Sequence, residues 1–178
     1  MTQYLKTSKK IYNILIQLEN LYNDPNVIKK SIAAARLMNI RYCSDPPAII
    51  AALLHNIGEL LPNNNQDSLE LAKKYLKSTG FPSSVYEPIS LYNQSKRYLI
   101  TKYPNYENQL QDKVMSDQEC IQFENNQWFD PSILLRIVTD KSQKLHIHNG
   151  YSILEYQNQL KQVLLDHITI QGWKYKIT

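Results

Sequence analysis

Glycine is scarce in this sequence of 178 residues, which contains only four. Nucleotide-binding folds of the Rossmann and P-loop types place several glycines in the turns that hold phosphate. The low glycine content, without a glycine-rich linker or a repeat of fixed period, therefore argues against those folds. The helical spacing of apolar residues described below instead predicts an all-α protein.

Cysteine and long apolar runs are also rare. Cys43 and Cys120 are the two cysteines, and neither belongs to a metal-binding motif. The default expectation is a reduced, cytoplasmic protein. No segment approaches the roughly 18 consecutive apolar residues of a membrane span, so we expect neither a signal peptide nor a membrane segment.

The composition is otherwise that of an ordinary globular chain, with 43% hydrophobic and 20% charged residues and a net charge of +4. The length predicts one domain over residues 1–178. A mildly basic chain is compatible with acidic small molecules or with nucleic acid. No basic stripe and no known nucleic-acid module is present, so nucleic acid is the disfavoured partner.

The segment AALLHNIGELL, residues 51–61, organises the chain. Apolar residues recur at helical spacing within it and just before it. One imidazole, one amide and one carboxylate lie among them: His55, Asn56 and Glu59. Because burying polar groups without partners is costly, we predict a polar site inside a bundle of about seven to nine helices.

Start and stop signals divide the rest of the chain into helices. A capping-box pattern predicts a helix start at Ser116, and aspartate followed by proline predicts further starts at Asp45 and Asp130. Gly80 predicts a helix end, and a long helix is expected over residues 83–102.

The central segment resembles the signature of the HD-domain superfamily, in particular its branch of small mixed-valent di-iron oxygenases and phosphonate-degradation HDIG proteins. Other segments that resemble this branch follow in the same order: AKKYL with GF within residues 72–81, LYNQSKRYL at 91–99, and MSDQE, FE and LR within 115–136. The resemblance covers about residues 21–143 and implies an HD-domain-like helical bundle.

That family holds two metals with four histidines and two aspartates, because oxygen activation at iron needs imidazole and carboxylate donors at fixed positions. Carried over by position, the resemblance implies that the six ligand positions are occupied here by Ser31, His55, Asn56, Asp67, Tyr92, and Thr139 or the adjacent Asp140. At most two of the six ligands remain. Hydroxyls, a neutral amide and a protonated phenol bind divalent metals poorly, so we expect neither a metal nor another cofactor.

The resemblance therefore implies a catalytically degenerate HD-domain protein, a pseudoenzyme with a regulatory or partner-binding role. Its pocket is expected to be filled by its own hydrogen bonds or to hold a small anionic ligand, and an active HD relative is one candidate partner. Lys96 and Arg136 match basic residues that relatives use near the anionic end of the substrate, but we favour an ion pair with Asp140 for Arg136. The expected pocket residues are Ser31, His55, Asn56, Glu59, Asp67, Tyr92, Lys96, Arg136 and Asp140.

Three alternatives remain open from the sequence. In a metal-independent enzyme, His55 would be a general base and Glu59 or Tyr92 the acid, acting on a small anionic substrate steered by Lys96. A single-metal site could be rebuilt from His55, Glu59, Asp67 and Asp140. An ordinary HD phosphohydrolase is less favoured because it also needs the missing ligands. The interpretation we favour for His55 is a buried histidine hydrogen-bonded to Asn56 or Tyr92.

Overall fold

The computed structural model describes residues 2–42, 44–62, 66–103, 105–106, 114–144 and 152–174. Within these ranges the fold is all-α, as predicted, and contains no strand. None of the described helices is both long and apolar enough to cross a membrane. The elements are α1 (Thr2–Leu21), α2 (Pro25–Leu37), a π-helical turn (Met38–Tyr42), α3 (Pro46–Leu54), α4 (Ile57–Leu60), α5 (Ser68–Thr79), α6 (Ser83–Ser90), α7 (Tyr92–Lys102), α8 (Asp117–Glu124), α9 (Phe129–Ser142), a 3-10 turn (Ile153–Tyr156) and α10 (Gln157–Lys174).

Two of the predicted helices are each broken by a short turn. The central helix ends at Leu54 and resumes at Ile57, so that His55 and Asn56 lie in the turn between α3 and α4. The long helix expected over residues 83–102 is interrupted at Leu91. Counting each broken pair once gives eight helices in the described residues, which lies within the predicted range.

Helix α3 lies at the centre of the bundle. Its residues 49–54 are at most 2% exposed, and α2, α6, α9 and α10 all pack around it. A helix buried on every side is apolar all round rather than amphipathic, which explains the unbroken apolar sequence before His55. The C-terminal end of α3 therefore carries the imidazole into the interior of the bundle.

Local signals set several helix ends as predicted. Asp45 caps α3 by accepting a hydrogen bond from the amide of Ala48 at 3.3 Å. Ser116 and Glu119 form a reciprocal capping box at the start of α8. Gly80 ends α5 with a φ of +99°, a left-handed conformation that glycine adopts without steric cost because it has no Cβ.

Gly58 provides a test of the packing between α4 and α5. A Cβ at this position would lie 1.9 Å from the carbonyl oxygen of Ser68. We expect Gly58→Ala to lower the free energy of unfolding by about 3 kcal/mol, because the backbone must move to make room. In Gly80→Ala the new Cβ would meet only the end of the Lys10 side chain, at 3.7 Å, but the left-handed backbone costs about 1–2 kcal/mol. Urea denaturation of both variants measures the difference, and equal losses would contradict the close contact at Gly58.

Candidate functional site

His55 lies in the turn between α3 and α4 and is partly buried. Its Nδ1 lies 2.8 Å from the carbonyl oxygen of Ala52. A carbonyl only accepts hydrogen bonds, so Nδ1 carries the proton and Nε2 does not. Nδ1 thus bonds a main-chain group rather than the expected Asn56 or Tyr92. Burial, and to a smaller degree the positive charge of Arg136, lowers the pKa of His55 to about 4, so the imidazole is neutral near pH 7.

Tyr92, the first residue of α7, lies beside His55 with the ring centroids 6.0 Å apart. Its hydroxyl oxygen is 2.8 Å from Oγ1 of Thr139. Thr139 donates its own proton to the carbonyl oxygen of Arg136 at 2.9 Å, so Tyr92 is the donor to Thr139. Two positions that the resemblance assigns to metal ligands are therefore hydrogen-bonded directly to each other.

Arg136 and Asp140 lie one turn apart on α9 and form the ion pair expected from the sequence. Nε of Arg136 donates to Oδ2 of Asp140 at 2.7 Å, and a terminal guanidinium nitrogen lies 2.7 Å from Oδ1. The two side chains are only 9% and 7% exposed. The guanidinium carbon also lies 4.4 Å from the centroid of the Tyr92 ring, at the distance of a cation–π contact. Arg136 is thus held by a carboxylate and an aromatic face.

Tyr106 joins this group from another part of the chain. Its hydroxyl donates to Oδ2 of Asp140 at 2.5 Å. Burial, together with this hydrogen bond to a carboxylate, raises the pKa of Tyr106, so the phenol remains protonated. No sequence signal pointed to Tyr106, because the contact joins residues 34 positions apart. We call these five residues the α9 network: Tyr92, Tyr106, Arg136, Thr139 and Asp140.

A second group of hydroxyls lies around Ser31 on α2. The hydroxyl of the buried Tyr22 donates to the carbonyl oxygen of Leu53 at 3.1 Å. Burial raises the pKa of Tyr22, as do Glu59 and Tyr75, whereas the neighbouring Ser31 hydroxyl opposes the rise. The side-chain oxygens of Ser31 and Tyr75 are buried and lack well-aligned hydrogen bonds to the described residues. An unsatisfied buried hydroxyl costs about 1–3 kcal/mol, so this group has unused hydrogen-bonding capacity.

The remaining predicted pocket residues are partly buried or exposed. Asp67 is exposed and caps α5 by accepting from the amide of Leu69 at 3.0 Å. Glu59 is exposed, whereas Asn56 and Lys96 are partly buried, as His55 and Tyr92 are. Lys96 makes a polar or electrostatic contact of its own. The predicted residues thus range from buried to exposed, and their common role in ligand binding stays a prediction.

The donor set does not fit the two-metal centre that the resemblance implies for the family. Such a centre needs several imidazoles and carboxylates that converge. Here Tyr92 and Thr139 bond each other, Ser31 offers a neutral hydroxyl, and Asp67 is engaged as a helix cap. Among the residues that the structure describes, no three His, Cys, Asp or Glu side chains are grouped so that they could hold a metal ion.

A separate groove of about 480 Å³ lies at the N-terminal ends of α3 and α9. Most of its lining is apolar, and it contains none of the predicted pocket residues. The groove was missed by sequence reasoning, because Asp45 and Asp130 signalled only helix starts. The two helix starts are far apart in the sequence and come together around one cavity only in the folded chain. No local sequence pattern predicts this. Its lining includes Met38, Asp45, Ala48, Pro88, Trp128 and Asp130.

Comparison with known proteins finds similarity over about half of the chain. Uncharacterized protein L432 of Acanthamoeba polyphaga mimivirus is 34% identical over a region that covers 54% of this chain and 53% of that protein. Hydroxymethylphosphonate dioxygenase of Gimesia maris is 33% identical, over 49% of this chain and 53% of that enzyme. The second relative is a dioxygenase by name. Its name agrees with the resemblance to the phosphonate-oxygenase branch. The chain spans about half the length of these relatives, and no family model matches it.

The lowered pKa of His55 predicts a specific dependence of stability on pH. Folding lowers this pKa from its ordinary 6.5 to about 4, so the unfolded chain binds the proton more readily between these values. The contribution of His55 is therefore complete above about pH 6.5 and is lost as the pH falls toward 4. The difference in unfolding free energy between wild type and His55→Gln should shrink by roughly 2 kcal/mol between pH 7 and 4.5.

Ile50→Val is the matched control for this experiment, because it removes a buried methyl group and no ionisable group. Its difference from wild type is expected to stay constant over the same pH range. A constant difference for His55→Gln as well would show that the imidazole is not held neutral by folding.

The buried ion pair predicts a large effect of removing one partner. We expect Asp140→Asn to lower the free energy of unfolding by about 3–5 kcal/mol, because Arg136 would then be buried without a counter-charge. Glu155→Gln breaks the more exposed pair with Arg36, whose side chains are 35% and 36% exposed, and should cost less than about 1 kcal/mol. Chemical denaturation compares the two, and a small loss for Asp140→Asn would mean that water reaches the guanidinium.

Proposed function

We propose that this chain is a catalytically degenerate HD-domain-like protein in which a hydrogen-bonded network takes the place of the family's two-metal centre. The observation that carries this proposal is the 2.8 Å hydrogen bond between Tyr92 and Thr139, because the resemblance assigns a metal ligand to Tyr92 and to Thr139 or the adjacent Asp140. In this proposal the protein acts as a binding or regulatory protein, with a small polar ligand or a protein partner, and not as an oxygenase or a phosphohydrolase.

The relation to the HD-domain superfamily is supported by sequence similarity and by the position of His55. The sequence keeps several segments of the phosphonate-oxygenase branch in order, and one similar protein carries the name of a phosphonate dioxygenase. The position of His55 at the end of a fully buried apolar helix agrees with the place of the signature histidine. The bundle is thus the kind of scaffold that this relation requires.

The α9 network supports the loss of catalysis because its polar groups bond one another. Asp140 receives hydrogen-bond or ionic contacts from two nitrogens of Arg136 and from Tyr106. Tyr92 donates its proton to Thr139, as the donor assignment above requires. The charged and hydroxyl groups of the α9 network are therefore paired mainly with one another, without a metal ion.

The same geometry makes the acid–base alternative less favourable. A general base works best with a pKa near the operating pH, and the pKa of His55 is lowered to about 4. Tyr92, one proposed acid, already donates to Thr139, and Glu59, the other, is exposed. Tyr92 is thus not an available proton donor to His55, and Glu59 faces solvent.

The hydroxyl group around Ser31 supports a remaining role in ligand binding. Ser31 is fully buried, and its oxygen and that of Tyr75 lack well-aligned partners among the described residues. A small polar ligand that donates and accepts hydrogen bonds would satisfy both oxygens. In this proposal the ligand lies beside Ser31 on α2, a helix that packs against α9.

Metal content tests the proposal directly. Protein expressed with added iron and manganese, and purified without a metal-affinity tag, should contain less than about a tenth of an equivalent of any transition metal, because too few donors converge. Elemental analysis provides the measurement. One equivalent that disappears in His55→Ala would indicate a rebuilt single-metal site, and two equivalents would mean that the correspondence of ligand positions is wrong.

A restored variant serves as the positive control for that measurement. It places the family's donor types at the five substituted positions and retains His55. If it folds and binds metal while the wild type does not, the correspondence of positions is supported. Its five substitutions are Ser31→His, Asn56→Asp, Asp67→His, Tyr92→His and Thr139→Asp.

A further inference from the structure

The groove at the N-terminal ends of α3 and α9 is separate from the α9 network and from the hydroxyls around Ser31. It is enclosed by the π-helical turn, by the first turns of α3, by α6 and by the start of α9. Its volume of about 480 Å³ lies in the range of small-molecule sites, which is roughly 300–1,000 Å³. An inference about this groove does not depend on whether the proposed loss of the metal centre is correct.

The wall of the groove is apolar. Pro47, Ala48, Leu134 and the half-buried Trp128 line it and are partly exposed, whereas Met38, Pro88 and Leu135 are buried. A ligand that covers the partly exposed apolar side chains removes hydrocarbon surface from water, which favours an apolar or aromatic ligand body.

The charge of the groove differs from that of the chain. The chain carries a net charge of +4, yet the charged side chains that line the groove are both carboxylates, Asp45 and Asp130. Asp45 is fixed by its capping hydrogen bond with the amide of Ala48. Asp130, in the first turn of α9, is exposed and is therefore accessible to a ligand. Each helix N-terminus contributes a charge of roughly +0.5, so the two carboxylates outweigh the ends of α3 and α9 and disfavour an anion. A neutral molecule would gain no ionic contact from them.

We propose that this groove binds a small organic cation, an ammonium or quaternary ammonium group attached to an apolar body. The apolar body lies on Pro47, Ala48 and Leu134, and the cationic group lies between Trp128 and Asp130. A cation over an indole face and beside a carboxylate gains from both contacts. The lining contains no basic side chain, and its neutral side-chain hydrogen-bond donors are Ser84 and Trp128.

Benzyltrimethylammonium is a suitable probe, because it combines an aromatic body with a permanent positive charge. The background variant is Trp173→Phe, which leaves Trp128 as the one tryptophan of the chain. Titration of this protein should produce a saturable change in Trp128 fluorescence. Benzyl alcohol and phenylacetate, which replace the cation by a neutral and an anionic group, are expected to bind at least about fivefold more weakly, as expected for loss of a cation–π contact.

Two matched carboxylate variants locate the charge contact. Asp130→Asn should weaken binding of the probe roughly two- to fivefold, as expected for a partly screened ionic contact. Asp117→Asn removes an exposed acid from the first turn of α8, outside the groove, and should leave binding unchanged. Circular dichroism of both variants confirms that the helices are retained.

Several results would overturn the proposal. One is the absence of a saturable change, and another is equal binding of the cationic, neutral and anionic probes. Equal affinities of Asp130→Asn and wild type for the probe would mean that Asp130 does not contact the cationic group. A concentration-dependent change of Trp128 fluorescence without any probe would mean that a second copy of the chain covers the groove.

Discussion

The buried guanidinium of Arg136 is the interaction on which the rest of the candidate site depends. A charge inside a helical bundle has to be neutralised and hydrogen-bonded, because an unpaired buried charge is strongly destabilising. Asp140 supplies the counter-charge at 2.7 Å, and Tyr106 provides a further hydrogen bond to that carboxylate. The same guanidinium lies over the ring of Tyr92 and contributes to the low pKa of His55. One cation thus pairs with a carboxylate, lies over a phenol ring and adds to the effect of burial on an imidazole.

This arrangement explains how the bundle keeps polar residues inside without converging metal donors. Bound metal cations are often the largest local charges in a site and stabilise several carboxylates at once. In the α9 network a single guanidinium is balanced by a single carboxylate, and the neutral hydroxyls of Tyr92 and Thr139 bond each other. The charges are therefore matched within α9, where Oδ1 of Asp140 meets the guanidinium through an ionic contact rather than a well-aligned hydrogen bond. The buried hydroxyls without a well-aligned partner, those of Ser31 and Tyr75, are neutral.

The sequence predicted those features that depend on neighbouring residues. Apolar spacing predicted the central buried helix, capping patterns predicted helix ends, and a separation of four residues on one helix made the pairing of Arg136 with Asp140 predictable. Contacts between distant segments were not predictable. Tyr92 and Thr139 are 47 positions apart, and each is an ordinary helix residue until α7 and α9 pack together. The partner of His55 was wrongly predicted, because the turn after α3 directs Nδ1 to a main-chain carbonyl.

Helices α3 and α9 carry different chemistry at their two ends, and their length keeps these ends separate. Asp130 is ten residues from Asp140 on α9, which corresponds to about 15 Å along a helix axis, and six residues from Arg136, or about 9 Å. The first distance exceeds the screening length of about 8–10 Å at physiological salt, and the second is close to it. Perturbations more than about 7–10 Å apart are usually additive, so a ligand beside Asp130 is not required to open the α9 network. The bundle can hold a closed polar site toward one end of these helices and an open apolar groove at the other, because Arg136 is already balanced by Asp140.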